Sequence, residues 1–168
     1  MEGSTLMKNR DFLDNISILF ATFFYVGYFP YGPGTAGTFA AMILYFIFLH
    51  NLNFLYYIIL CIVLFFAGVF FSSRAEKIIG KKDPSEVVID EVAGYLITML
   101  GALWAPFSIV YVLIGFLLFR IFDIMKPFPV GFADKHIGGG LGIMLDDVIA
   151  AVISAVLLRL IIVIIVGL

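Results

Sequence analysis

The sequence predicts an all-α fold: a polytopic membrane helix bundle of about five spans, preceded by an N-terminal re-entrant or interfacial segment. Of the 168 residues, 63% are hydrophobic and 13% are charged, about half the roughly 25% of an average soluble domain. From Ile16 to Ser73 there is no Asp, Glu, Lys or Arg, which suits lipid rather than water. The basic residues gather in three groups with apolar runs between them, the pattern of a chain that returns repeatedly to one face of a membrane. The length fits a polar cytoplasmic arm at 1–15 and a single membrane-embedded domain at 16–168. A net charge of −2 without a basic stripe argues against nucleic acid as a partner. The lone Cys61 allows no intrachain disulfide.

Met1–Asn15 is polar and carries acids beside Lys8 and Arg10, unlike the n-region of a signal peptide. Ile16–Phe29 has 14 residues. As a helix it would reach about 21 Å, short of the roughly 30 Å hydrocarbon core. The stretch Gly27–Thr38 follows, with two prolines and four glycines. Taken alone it is a turn. Thr35 is a candidate N-cap for a first span over Ala36–Leu49, whose free N–H groups would suit a phosphate.

Phe54–Phe71 is the second span, joined to the first by the uncharged loop His50–Asn53. A charged loop from Arg74 to Glu91 follows, and Asp90-Glu91 stand at the head of the apolar run beginning at Val92. Capping alone explains one such pair. Val92–Phe122 has 31 residues, too many for one comfortable span. Ala105-Pro106 at its middle is either a kink or a hairpin. A hairpin keeps the basic groups at Lys8/Arg10, Arg74–Lys82 and Lys126/Lys135 on one face, as the positive-inside rule demands, and gives five spans. The fourth span ends in Arg120, Asp123 and Lys126, spaced to share one helical face until Pro127 and Pro129 stop the helix. A snorkelling, salt-bridged helix end would look the same, yet charges this close to an apolar run point to function. Gly138-Gly139-Gly140 then opens a glycine-rich loop that closes on Asp146-Asp147, directly before the last apolar segment.

These stretches fall at one face of the membrane. Asp90, Glu91, Asp146 and Asp147 supply oxygen ligands without a nearby His or Cys, which suits magnesium better than zinc. Arg120 and Lys126, with the turn residues Gly34, Thr35, Gly37 and Thr38, supply cations and backbone donors for a phosphate. Asp123 completes the candidate catalytic acids. The pattern indicates phosphoryl chemistry on an amphipathic substrate at the cytoplasmic surface.

The turn Tyr31–Thr38, the pair Asp90-Glu91, the segment Phe119–Pro129 and the run Gly139–Asp147 resemble, in order and spacing, the motifs of the phosphatidylglycerophosphatase A family. The resemblance runs from about Gly27 into the last span. It implies a multi-pass enzyme of the bacterial inner membrane, magnesium-dependent, that removes the terminal phosphate of phosphatidylglycerophosphate to leave phosphatidylglycerol. The residues agree by elimination. Cys61 lies mid-span, away from any anion-binding loop where a thiolate nucleophile would sit. Two histidines are too few, and too far apart, for a histidine phosphatase, and no Asp-x-Asp nucleophile motif occurs. The alternative from another class is a small transporter using intramembrane carboxylates. Against it, the charges cluster at one face.

Overall fold

Seven α-helices make up the fold in the computed structural model, which describes residues 11–166. They are α1 (Phe12–Ala21), α2 (Pro33–Leu44), α3 (Phe54–Ile79), α4 (Ile89–Thr98), α5 (Ile109–Met125), α6 (Val130–His136) and α7 (Gly139–Val166). No strand occurs among the described residues, so the all-α expectation holds. α7 forms the axis and packs against α3, α4, α5 and α6. α2 covers α4, and α1 lies along α3. Residues 1–10 of the expected N-terminal arm lie outside the described part. Of the rest of that arm, residues 12–15 are already helical, since α1 begins at Phe12.

Ten residues of α1 reach about 15 Å, so this segment does not cross a bilayer. Its Asp14 meets Arg74 of α3 at 2.7 Å and its Phe20 stacks on Phe71. These contacts tie α1 to the charged end of α3. The chain leaves α1 through Phe23, Phe24 and Tyr25, all with positive φ. The carbonyl of Ala21 accepts the N–H of Val88, just ahead of α4.

The span count needs correction. Among the described residues two helices, α3 and α7, are long and apolar enough to cross a membrane, not five. α2 with its continuation Tyr45–Leu49 covers 17 residues. α4 has 10 before a 3-10 turn at Met99–Ala102, and α5 has 17. Each reaches about 26 Å or less, under the usual core thickness. The outward faces nevertheless suit lipid. Phe46 and Phe48 next to α2, Phe66 and Phe70 on α3, Leu117 on α5 and Val156 on α7 are all exposed, and apolar surface this extensive is foreign to a water-soluble monomer.

The Ala105-Pro106 region is a hairpin and not a kink. Gly94 of α4 lies against Phe119 of α5, while Met99 lies against Gly115, so the two arms run antiparallel. Tyr95 Oη donates to the carbonyl of Val112 and locks them. Phe54 packs on Trp104 and His50 on Phe107, so the two uncharged loops meet at one end of the bundle. Arg159, inside the apolar run of α7, donates to the carbonyl of Leu103 there and satisfies a helix-end acceptor. The charged loops gather at the other end.

The glycine-rich run is helix, not loop. α7 starts at Gly139, so Asp146 and Asp147 stand two turns inside it, not at its head. Packing explains this. A Cβ on Gly140 would lie 2.1 Å from the Val69 carbonyl oxygen and 2.6 Å from the Ser73 nitrogen. Here α3 and α7 touch backbone to backbone, and the Gly140 N–H donates to Ser73 Oγ. Tertiary contact overrides the poor helix propensity of glycine.

Candidate active site

α4 begins directly after Val88, which places Asp90 and Glu91 in its first turn. Their carboxylates turn inward against α7, where Asp147 is 3% exposed. One oxygen from each of Asp90, Glu91 and Asp147 lies within 4.8 Å of the other two. Among the described residues, Asp90 Oδ1, Glu91 Oε2 and Asp147 Oδ2, like Asp146 Oδ1, are buried and have no hydrogen-bond donor. Three clustered carboxylates without donors repel one another unless a cation sits among them. Hard oxygen ligands at this separation fit a divalent cation such as magnesium, so the chain's own residues meet the requirement for such an ion.

Asp146 stands apart from that trio. Successive helical residues diverge by about 100°, and Asp146 faces Lys126, whose Nζ lies 2.8 Å from its Oδ2. Lys126 does not share the face of Arg120 and Asp123. It caps α5 in the left-handed region (φ 42), which turns its side chain toward α6 and α7. Its Nζ also lies 2.6 Å from Asp134 Oδ1. Burial disfavours the ammonium, but hydrogen bonds to Asp134 and Asp146 outweigh it, and the pKa of Lys126 rises above the ordinary lysine range.

Arg120 is paired with Asp123 one turn later and lies 3.9 Å from Glu91 Oε1. Its Nε is buried and has no acceptor, so part of the guanidinium fork is uncommitted. A cleft of about 380 Å³ joins these groups. It is lined by Asp90, Glu91, Asp123, Asp146, Asp147, Arg120, Lys126, Gly34 and the loop residue Asp83, among others.

The Gly/Pro/Thr turn contributes differently from expectation. α2 starts at Pro33, with Gly32 as its N-cap at φ +68, so Thr35 is the third residue of the helix and not its cap. Proline suits that first position because its missing N–H has no partner to lose. Thr35 is exposed, whereas Gly37 and Thr38 are buried. Gly37 abuts Val88, and Thr38 donates to the Gly34 carbonyl at 2.9 Å. Of the four, Gly34 reaches the cleft. A Cβ there would fall 2.0 Å from Glu91 Oε1.

The family pattern of phosphatidylglycerophosphatase A matches residues 19–162. The chain belongs to that family. It is a phosphatase, and the match spans every motif that forms the cleft. It is 34% identical over 148 residues to phosphatidylglycerophosphatase A of Escherichia coli, covering 88% of this chain and 84% of that protein. The protein of the same name from Haemophilus influenzae is 34% identical over 156 residues, covering 93% and 94%. A Bacteroides thetaiotaomicron protein, provisionally named a phosphatidylinositol-3-phosphatase, is 39% identical over 156 residues, covering 90% and 95%. No solved structure matches the chain. Within this family site, Asp83 and Asp134 escaped the sequence reading. One lies in a loop and the other on a short helix, and no spacing signals that Asp83 lines the cleft or that Asp134 meets Lys126.

Proposed function

We propose that the chain is a magnesium-dependent lipid phosphatase that hydrolyses the terminal phosphomonoester of phosphatidylglycerophosphate, giving phosphatidylglycerol and phosphate. The observation that carries this is the trio Asp90, Glu91 and Asp147, each with a buried oxygen that has no donor among the described residues, beside an arginine with an uncommitted Nε. The trio would hold the magnesium ion, which when bound supplies Lewis-acid polarisation of a phosphoryl oxygen. Arg120 and Lys126 bind the other phosphate oxygens and neutralise the charge that develops as the P–O bond breaks. Asp123 orients Arg120 through their ion pair. The N–H groups of Gly34 and Thr35, at the start of α2, have no acceptor within the helix, and Gly34 offers backbone at the cleft wall. The family match lends no support to the transporter alternative.

The test is phosphate release by purified protein from mixed micelles containing phosphatidylglycerophosphate, phosphatidylinositol 3-phosphate or phosphatidic acid, with magnesium or with EDTA. Release from phosphatidylglycerophosphate that EDTA abolishes is the expected result. Preference for the inositol lipid would move the substrate assignment to that of the Bacteroides relative, and activity in EDTA would remove the metal.

The conservative variants of the two cations should differ. Arg120→Lys is expected to lower turnover about ten-fold, the effect of losing roughly 1.4 kcal/mol of transition-state binding, because lysine cannot reproduce the guanidinium fork. Lys126→Arg should be tolerated better, since Lys126 acts as a point charge. Steady-state kinetics of both variants decide this, and a silent Arg120→Lys would leave Arg120 a structural ion-pair partner.

The cleft would open on the cytoplasmic face of a bacterial inner membrane. Cysteines introduced near Asn51 and Pro106 should react with an impermeant reagent added to spheroplasts. Those near Lys82 and Lys135 should react only after lysis. The native Cys61 is buried and gives little background. Reaction of the Lys135 position from outside would overturn this orientation.

A further inference from the structure

Lys126 is held by two carboxylates that come from different helices, Asp134 on α6 and Asp146 on α7. Asp146 lines the acid cleft. Asp134 does not; it lines a neighbouring cleft with Glu76, Lys82 and Lys135, and Asp83 and Asp146 belong to both. The ammonium therefore stands at the partition between the two clefts. A lysine side chain has four flexible bonds and gives up much rotamer entropy when it is fixed. One carboxylate would leave it free to pivot, and Asp146 alone would draw it onto the wall of α7. Two carboxylates from two helices fix Nζ between them and take two of its three N–H donors. The third remains for a phosphate oxygen.

We propose that Asp134 is a positioning residue, which fixes the Lys126 ammonium at the edge of the cleft so that its remaining donor meets the phosphomonoester. This rests on the phosphatase reading given above. The rival role for Asp134 is purely structural, tying α6 to the end of α5. The two roles separate in a double-mutant cycle of wild type, Asp134→Asn, Lys126→Met and the double variant. Turnover on phosphatidylglycerophosphate is measured well below the lowest melting temperature of the four, and the melting temperatures are recorded alongside. Positioning predicts that Asp134→Asn lowers kcat at least five-fold, that the double variant is no slower than Lys126→Met alone, and that Asp134→Glu recovers most of the loss. Losses that multiply in the double variant, or an Asp134→Asn enzyme as fast as wild type, overturn the proposal even if the pair is coupled in melting temperature. Absence of phosphate release by the wild type would instead overturn the functional reading itself.

Discussion

Replacing Asp90 by Asn, Glu91 by Gln or Asp147 by Asn should each lower phosphate release on the order of a hundred-fold, the scale of about 2.7 kcal/mol lost from a charge-assisted contact in a dry site. The three side chains converge, and each holds a buried oxygen that no protein donor reaches. Asp146→Asn should cost less, about ten-fold, since Asp146 lies outside the trio and its Oδ2 is held by Lys126, through which it acts. Stability should move the other way. Removing one of three mutually repelling carboxylates relieves strain in the metal-free protein, so these variants should melt at or above the wild-type temperature in EDTA. Their melting should also respond less to added magnesium, by the linkage between binding and stability. Phosphate release and thermal melting in detergent are the two measurements. Near-normal turnover in all three variants would mean that the trio holds no catalytic ion.

Gly34→Ala should be almost as damaging to activity and far less so to the fold. The new methyl would meet Glu91 Oε1 at 2.0 Å and Arg120 Nη1 at 3.3 Å. Both are ends of side chains that can swing away, so the helices need not separate. The carboxylate must move by an ångström or more, and a displacement of that size at a reacting centre costs about a hundred-fold. Gly140→Ala is the contrasting case. Its methyl would strike the backbone of α3 at Val69 and Ser73, which cannot yield without parting two helices. A loss of stability is expected there first. Melting curves and turnover of the two variants should therefore rank in opposite order. If Gly34→Ala keeps wild-type turnover, the start of α2 is not part of the working site.

Much of this arrangement is legible in the sequence because charge is so scarce in it. Asp90-Glu91 before an apolar run could only be a helix head, and Arg120 and Asp123 at i and i+3 could only share a face. The hairpin at Ala105-Pro106 followed from where the lysines had to be. What failed were inferences that local composition cannot support. The glycines before Asp146 read as a loop because glycine is a weak helix former, but contact with α3 makes them helical. Thr35 looked like a cap until Pro33, two residues earlier, proved to be the first helical residue. Lys126 left the expected face because a single left-handed residue redirects the chain, and no periodicity encodes that. The count of spans failed on length: a short helix leaning on α7 carries the same apolar composition as one that crosses unaided.

The two acids of α7 stand seven and eight residues beyond its first residue. At about 1.5 Å per residue this sets them roughly 11 Å along the helix axis. With α7 as a membrane span, the proposed reaction would take place near the depth where lipid headgroups give way to acyl chains, and not in the aqueous layer above. A phosphomonoester carried by a lipid is confined to the headgroup depth and would meet the site by sliding in two dimensions. A soluble phosphate ester of the same headgroup must shed its water and descend. Selectivity for lipids over free metabolites would then be set by how far down a rigid helix its carboxylates lie, before any contact with the headgroup is counted.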